Sequence, residues 1–286
     1  MTPGGQTYSS STGHLAVAGE QVGFTVLEPT RPSAEVPIVL LPGTGGPAAT
    51  HYAFLAPMLA ARRRVITVDY APRHGDTPLT VEDLAGQVEA VTHHLDLRFP
   101  VLLCGYSLGA VVAAAVAARR PALVRQLVLV CGWAKTDGHQ LLRNRLWHTV
   151  RKEGSAAGSE LSVYAAYSPS YIAGRLPAEV DALVAAASYP DGIDAQMDLN
   201  RRVDIEHLLP AITAPTLVIG ATHDQMTPVR QVKFLWGAIA DARYAELPTG
   251  HAVMVERPAQ VLQLVHDFIA RPTAVPAGGV VTLDQP

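Results

Sequence analysis

Pro100-Val101-Leu102-Leu103-Cys104-Gly105-Tyr106-Ser107-Leu108-Gly109-Ala110-Val111-Val112-Ala113-Ala114-Ala115-Val116-Ala117-Ala118-Arg119 changes character at a single serine. Before it, residues 100–104 form a short apolar run, the pattern of a strand covered on both faces. After it, residues 108–119 are alanine-rich and long enough for about three turns of helix. Strand, sharp turn and helix are the setting in which Gly-x-Ser-x-Gly lifts a serine hydroxyl above a sheet. Gly105 and Gly109 fit that reading, because side chains there would collide across so tight a turn.

The same alternation runs outward in both directions. Residues 1–14, rich in Gly, Ser and Thr, are expected to be a loose N-terminus, and residues 15–28 alternate around Gly19-Glu20 as a hairpin. Residues 36–41 read as a buried strand ended by Pro42-Gly43-Thr44-Gly45-Gly46, residues 52–61 as a short helix and 64–69 as a strand. Thr80-Val81-Glu82-Asp83 carries a capping signature for a helix through residue 97. Residues 126–131 read as another buried strand. Between residues 134 and 210 the rhythm breaks, with helices expected over 140–152, 178–187 and 195–209. It resumes with strands at 215–220 and 242–247 and helices at 229–239 and 258–270.

Strands that alternate with helices predict an α/β fold with a mostly parallel central sheet flanked by helices. The expected organisation is a core of residues 15–133 and 211–271. A helical cap of residues 134–210 would lie over the carboxyl edge of the sheet, and residues 272–286 would form a loose tail.

Composition excludes several functions. The chain of 286 residues is 49% hydrophobic and 16% charged, apolar enough for a sizeable core. A net charge of -3 argues against a general nucleic-acid binder. No run approaches the ~18 apolar residues of a membrane span, and the start lacks the basic and apolar regions of a secretory signal. Cys104 and Cys131 fall in expected core strands, as small buried hydrophobes with intact thiols, which suits a cytoplasmic protein. No metal and no cofactor is expected.

A serine hydroxyl becomes a good nucleophile only when an imidazole takes its proton and a carboxylate orients that imidazole. On this framework the partners should follow later strands in the order serine, acid, histidine. Asp224, just past the 215–220 strand, and His251, just past the 242–247 strand, meet both order and placement with Ser107. His223 adjoins the acid and is expected to point away; Asp198 and Asp204 are weaker candidates for the acid. The developing oxyanion needs two donors. The backbone N–H of Leu108 and that of Thr44, in the glycine-rich loop with Gly43 and Gly45, are the candidates.

Together these residues resemble the α/β-hydrolase superfamily over nearly the whole chain. The segment from Asp69 through Arg73 and Gly75 to Thr77 is similar to that family's loop after its fourth strand. Many members carry His-Gly where this chain has Pro42-Gly43, so Thr44 keeps its position while the histidine's supporting hydrogen bonds are lost. The resemblance implies a serine hydrolase acting on a small ester or thioester through an acyl-enzyme. Two alternatives stay open: transfer of the acyl group to an acceptor other than water, and a non-catalytic ligand-binding protein.

Tyr106, Trp133, Trp147, Tyr164, Tyr167, Met226 and Val253 are expected around the acyl pocket, with Met254 bordering it. The 140–152 helix should bury Leu142, Leu146 and Val150, with Trp147 beside them, and leave Arg143, Arg145, Arg151 and Lys152 as a solvated basic face. An acyl carrier protein is the partner such a face would receive; the oligomeric state is expected to be a monomer or a homodimer.

Overall fold

Eight of the chain's apolar or alternating runs pair into one sheet in the computed structural model, which describes residues 7–73, 77–97, 100–153, 157–187, 189–190 and 192–283. The strands are β1 (Tyr8–Val17), β2 (Glu20–Pro29), β3 (Ile38–Leu41), β4 (Val65–Asp69), β5 (Val101–Tyr106), β6 (Val124–Val130), β7 (Thr216–Ala221) and β8 (Ala242–Leu247). Among the described residues their order is β1-β2-β4-β3-β5-β6-β7-β8. β1 and β2 join antiparallel and every pair from β4 to β8 is parallel. The fold is therefore the expected α/β arrangement, with β5 near the centre.

Helices α1 (Ala48–His51), α2 (Leu55–Ala60), α3 (Val81–His94) and α4 (Leu108–Arg119) accompany the first half of the sheet. Next come α5 (Gly138–Lys152), α6 (Ala157–Ala166), α7 (Pro169–Ala173), α8 (Pro177–Ala186) and α9 (Ile193–Asn200). Finally α10 (Val229–Ala238), α11 (Val253–Glu256) and α12 (Pro258–Ala270) accompany β7 and β8. The Thr80 cap forms as read: its hydroxyl accepts from the Asp83 N–H at 3.1 Å and the Asp83 carboxylate accepts from the Thr80 N–H at 3.0 Å.

The unbroken apolar strands divide their side chains between two cores. Val39, Leu41, Leu103, Leu127 and Leu129 face the layer containing α3, α4 and α10. Ile38, Leu40, Leu102, Cys104 and Val128 face the layer of α2 and α12. Every residue of α4 from Leu108 to Ala117 is buried, and its alanines let the helix backbone approach the sheet closely. Ser107 stands at the head of that helix.

Four expectations are corrected. The expected loose N-terminus is a strand from Tyr8 on: residues 8–17 pair with 20–29, closed by a two-residue turn with Ala18 and Gly19 at φ 50° and 86°. An outer strand is held by its backbone, so the Ser and Thr side chains can stay exposed. The tail is also tied down. Gly278 N–H donates to Ala242 O at 2.8 Å, Tyr244 N–H to Gly279 O at 3.1 Å, and Val281 N–H to Tyr244 O at 2.7 Å, which covers the free edge of β8.

The expected 195–209 helix stops at Asn200, because residues 203–205 take their partners from a neighbouring segment. Thr136 N–H donates to Val203 O and Ile205 N–H to Ala134 O. α6 and α7 occupy a stretch where no helix was expected. None of the helices is long and apolar enough to cross a membrane, among the described residues.

Candidate active site

Ser107 sits between β5 and α4 at φ 56° and ψ −120°, a backbone conformation costly for a residue with a side chain. The glycines on either side explain how the turn closes. A Cβ on Gly105 would lie 2.1 Å from Gly109 O, and one on Gly109 would lie 2.1 Å from Leu41 O. The strain is thus held by close backbone packing of β3, β5 and α4, and it projects the Ser107 side chain off the carboxyl end of the sheet.

Two loops bring partners to it. His251 follows β8, and its Nε2 lies 2.9 Å from Ser107 Oγ. Asp224 follows β7, and its Oδ2 lies 2.7 Å from His251 Nδ1. The other carboxylate oxygen accepts the N–H groups of Met226 at 2.8 Å and Thr227 at 2.7 Å, so the acid is locked in place. With the Nδ1 proton held by Asp224, Nε2 is free to accept the serine proton. All three side chains are buried, at 5 to 8% exposure, which keeps their electrostatics unscreened.

The histidine loop is braced from beneath and from the side. Tyr106 donates its hydroxyl to the His251 carbonyl at 2.8 Å. Glu256 Oε1 accepts the N–H of Gly250 at 3.0 Å and that of Ser168 at 2.8 Å, while its Oε2 accepts the Ser168 hydroxyl at 2.6 Å. One carboxylate therefore joins the loop carrying His251 to the start of α7.

Cys131, which follows β6 at φ 50°, completes a group of ligand-type atoms with Asp224 and His251. Burial, then the charge of Asp224, pushes its thiol well above the ordinary range, so it stays protonated. Asp224 and His251 are already spent on each other, and the set reads as a hydrogen-bonded relay.

The glycine-rich loop after β3 lies against the serine: a Cβ on Gly43 would sit 3.0 Å from Ser107 Cβ. Three side chains anchor it, two from α9 and one from α1. Asn200 Nδ2 donates to Thr44 Oγ1 at 2.9 Å, Gly45 N–H donates to Gln196 Oε1 at 2.9 Å, and Gly43 N–H donates to His51 Nδ1 at 3.0 Å. His51 was not singled out from the sequence. It supplies from α1 an imidazole beside the loop where Pro42 lacks one, and its ring meets Tyr106 edge-on at 5.1 Å. Burial, with the nearby charge of His251 second, lowers its pKa to about 4, so it is neutral at physiological pH and accepts at Nδ1.

These groups open on a cavity of about 370 Å³. Gly43, Thr44, Gly45, Tyr106, Trp133, Trp147, Tyr167 and Met226 line it as expected, and Met254 borders it. Two expected residues do not. Tyr164 is 77% exposed on the outer side of α6, and Val253 is packed in the core beneath α11. Asp204 pairs with Lys135 and Asp198 with Arg201, away from His251. His223 is exposed. Arg73 pairs with Asp83, while Gly75 lies outside the described residues.

α5 is turned the other way round from its expected orientation. Leu142 and Leu146 are 60% and 48% exposed, and the face turned inward carries Gln140, Arg143, Asn144 and Trp147. The apolar-inside rule fails because this helix borders a cavity. The expected basic surface is correspondingly divided: Arg143 faces the cavity and Arg151 is paired with Asp194 at 3.0 Å, which leaves Arg145 and Lys152 outside.

Comparison with known proteins follows the same lines. The family model described as the alpha/beta hydrolase family matches residues 38–264. A pyrrolizixenacetamide deacetylase of Xenorhabdus hominickii is 31% identical over 81% of this chain and 90% of its own. A pimeloyl-[acyl-carrier protein] methyl ester esterase of Neisseria meningitidis is 27% identical over 86% of this chain and 81% of its own. The crystal structure of an enol-lactonase from Burkholderia xenovorans superposes with a TM-score of 0.78 at 25% identity, covering 91% of this chain and all of that one. The chain belongs to the alpha/beta hydrolase family.

Proposed function

We propose that this protein is a serine hydrolase that cleaves a small ester or thioester through an acyl-enzyme on Ser107. The observation that carries the reading is the unbroken relay Ser107–His251–Asp224 at the edge of a largely apolar cavity. Ser107 Oγ attacks the acyl carbon as its proton passes to His251 Nε2, and Asp224 stabilises the imidazolium. The Leu108 and Thr44 N–H groups hold the oxyanion. When the tetrahedral species collapses, the alcohol or thiol leaves with the proton from His251. A water molecule, deprotonated by the same nitrogen, then releases the acid and restores the serine.

The names of the relatives support cleavage at an acyl carbon: one is a deacetylase and another a methyl ester esterase. Passage of the acyl group to another acceptor uses the same steps and differs only in what enters second. A carrier-borne substrate, as the esterase's name states for that protein, has less support here because Arg143 and Arg151 are withdrawn from the outer face of α5. Two buried free thiols fit a reducing, cytoplasmic setting.

The test is a fluorophosphonate probe followed by mass spectrometry. The native protein is expected to label on the peptide containing Ser107, and Ser107→Ala to remain unlabelled. Equal labelling of both proteins, or none in the native one, overturns the proposal and favours a binding role. Trapped adducts from a panel of acyl thioesters, with and without amines or thiols added, separate hydrolysis from transfer.

A further inference from the structure

Among the described residues, the arginines drawn below the surface have carboxylate partners with one exception. Arg63 holds Glu35, Arg64 holds Glu28, Arg73 holds Asp83, Arg151 holds Asp194 and Arg243 holds Asp241. Arg143 has neither an ion pair nor a hydrogen bond among the described residues, and its Nε is enclosed without a partner. A half-buried guanidinium with an enclosed, unpartnered Nε is costly to hold there, and its fork of N–H groups matches a carboxylate.

Arg143 is also placed where a ligand would go. It lines the same cavity as Ser107 and His251, and no Asp, Glu or Lys is among the residues lining that cavity. The neighbouring Asn144 and Asn200 each present a buried side-chain oxygen with no partner. Their amide nitrogens are already used, on Met197 O and Thr44 Oγ1. The cavity that holds the reacting serine thus offers one cation without a hydrogen-bonded or ion-paired partner.

From this we infer that the substrate carries a carboxylate remote from its scissile carbonyl, and that Arg143 is the residue that binds it. A single unpaired cation balances one negative charge, which favours a carboxylate over a phosphate dianion. The inference rests on the hydrolase reading for the word substrate, but the anion site itself stands or falls separately.

Two paired probes test it. One pair is mono-4-nitrophenyl glutarate and its methyl-capped diester; the other is 4-acetoxybenzoate and its methyl ester. The wild-type protein is expected to prefer the charged member of at least one pair by about 10- to 100-fold in kcat/KM. Arg143→Gln should abolish that preference by raising KM for the charged member, and Arg143→Lys should restore part of it. Equal use of both members by the wild type, or a preference that survives in Arg143→Gln, overturns the inference.

Binding without chemistry gives the second reading. Glutarate should raise the melting temperature of Ser107→Ala but not that of Ser107→Ala/Arg143→Gln. A protein that hydrolyses nothing yet shows this difference loses the hydrolase reading and keeps the anion site. One that hydrolyses esters with no charge preference and no glutarate effect does the reverse. Misfolding is a small hazard, since removing an unpaired cation should leave the unliganded protein no less stable.

Discussion

Replacing His51 by asparagine should change how stability falls with acid, by an amount that follows from the geometry. The imidazole is half-buried at the cavity wall, beside the glycine-rich loop and the Tyr106 ring, and it accepts the Gly43 N–H at 3.0 Å. Its pKa falls from 6.5 to about 4, first through burial and then through His251. The folded chain therefore binds this proton more weakly than the unfolded chain does. As pH drops below about 6.5 the unfolded state takes up the proton alone, and stability declines until both states are protonated below about 4. Those values correspond to a loss of about 2 kcal/mol between pH 7.5 and 5, rising toward about 3 at lower pH.

Asparagine can accept the Gly43 N–H through its side-chain oxygen but does not titrate. Urea unfolding at pH 7.5, 6 and 5 should show the wild type losing about 2 kcal/mol more than His51→Asn, other carboxylates contributing equally to both. Parallel curves would refute the reasoning: His51 would then be solvated or already protonated. His51→Leu, which cannot accept the bond, should in addition lower the rate of Ser107 labelling about tenfold by freeing the loop that presents Thr44.

Asp224→Asn should leave the fold intact and cut kcat by roughly 10³- to 10⁴-fold, because an amide can favour the wrong imidazole tautomer. Loss of less than about tenfold in an ester assay would dismiss Asp224 as the orienting acid. Deleting residues 272–286 removes three backbone hydrogen bonds to β8 and the Val275 carbonyl that accepts from Arg243. Urea unfolding should show about 2–4 kcal/mol lost with kcat/KM unchanged, and an unaltered midpoint would mean the tail contributes nothing in solution.

What could be read from the sequence was whatever is local and periodic. Ser107 and Asp224 follow strands whose apolar runs are hard to mistake, and His251 follows the shorter mixed run Ala242–Leu247, so their order predicted their meeting. The Thr80 cap was legible for the same reason, being closed within four residues. Residues 8–14 of the outermost strand and the tail were not, since an edge strand is held by main-chain bonds that any sequence can make and Ser-rich segments carry no apolar signal. His51 escaped because its partner, the Gly43 N–H, is a backbone group with no side-chain signature. The one available hint was the presence of an imidazole eight residues after Gly43, which lies in a loop that lacks one.

The inversion of α5 was illegible for a different reason, and it bears on function. A helix against a packed core hides its leucines, but one that roofs a cavity is shaped by what the cavity must hold. Turning Leu142 and Leu146 outward sacrifices apolar burial, while Arg143 and Asn144 are drawn inward without full hydrogen bonding. Packing Trp147 against Ile193 and Met197 offsets part of the first cost, but no partner offsets the second. The inward turn of Arg143 is explained if the bound state, with a carboxylate on Arg143, is the state this helix is built to stabilise. The unliganded helix should then be among the weaker parts of the fold. Amide hydrogen exchange across α5 should slow when a carboxylate-bearing ligand occupies the cavity, and exchange unchanged by saturating ligand would remove that explanation.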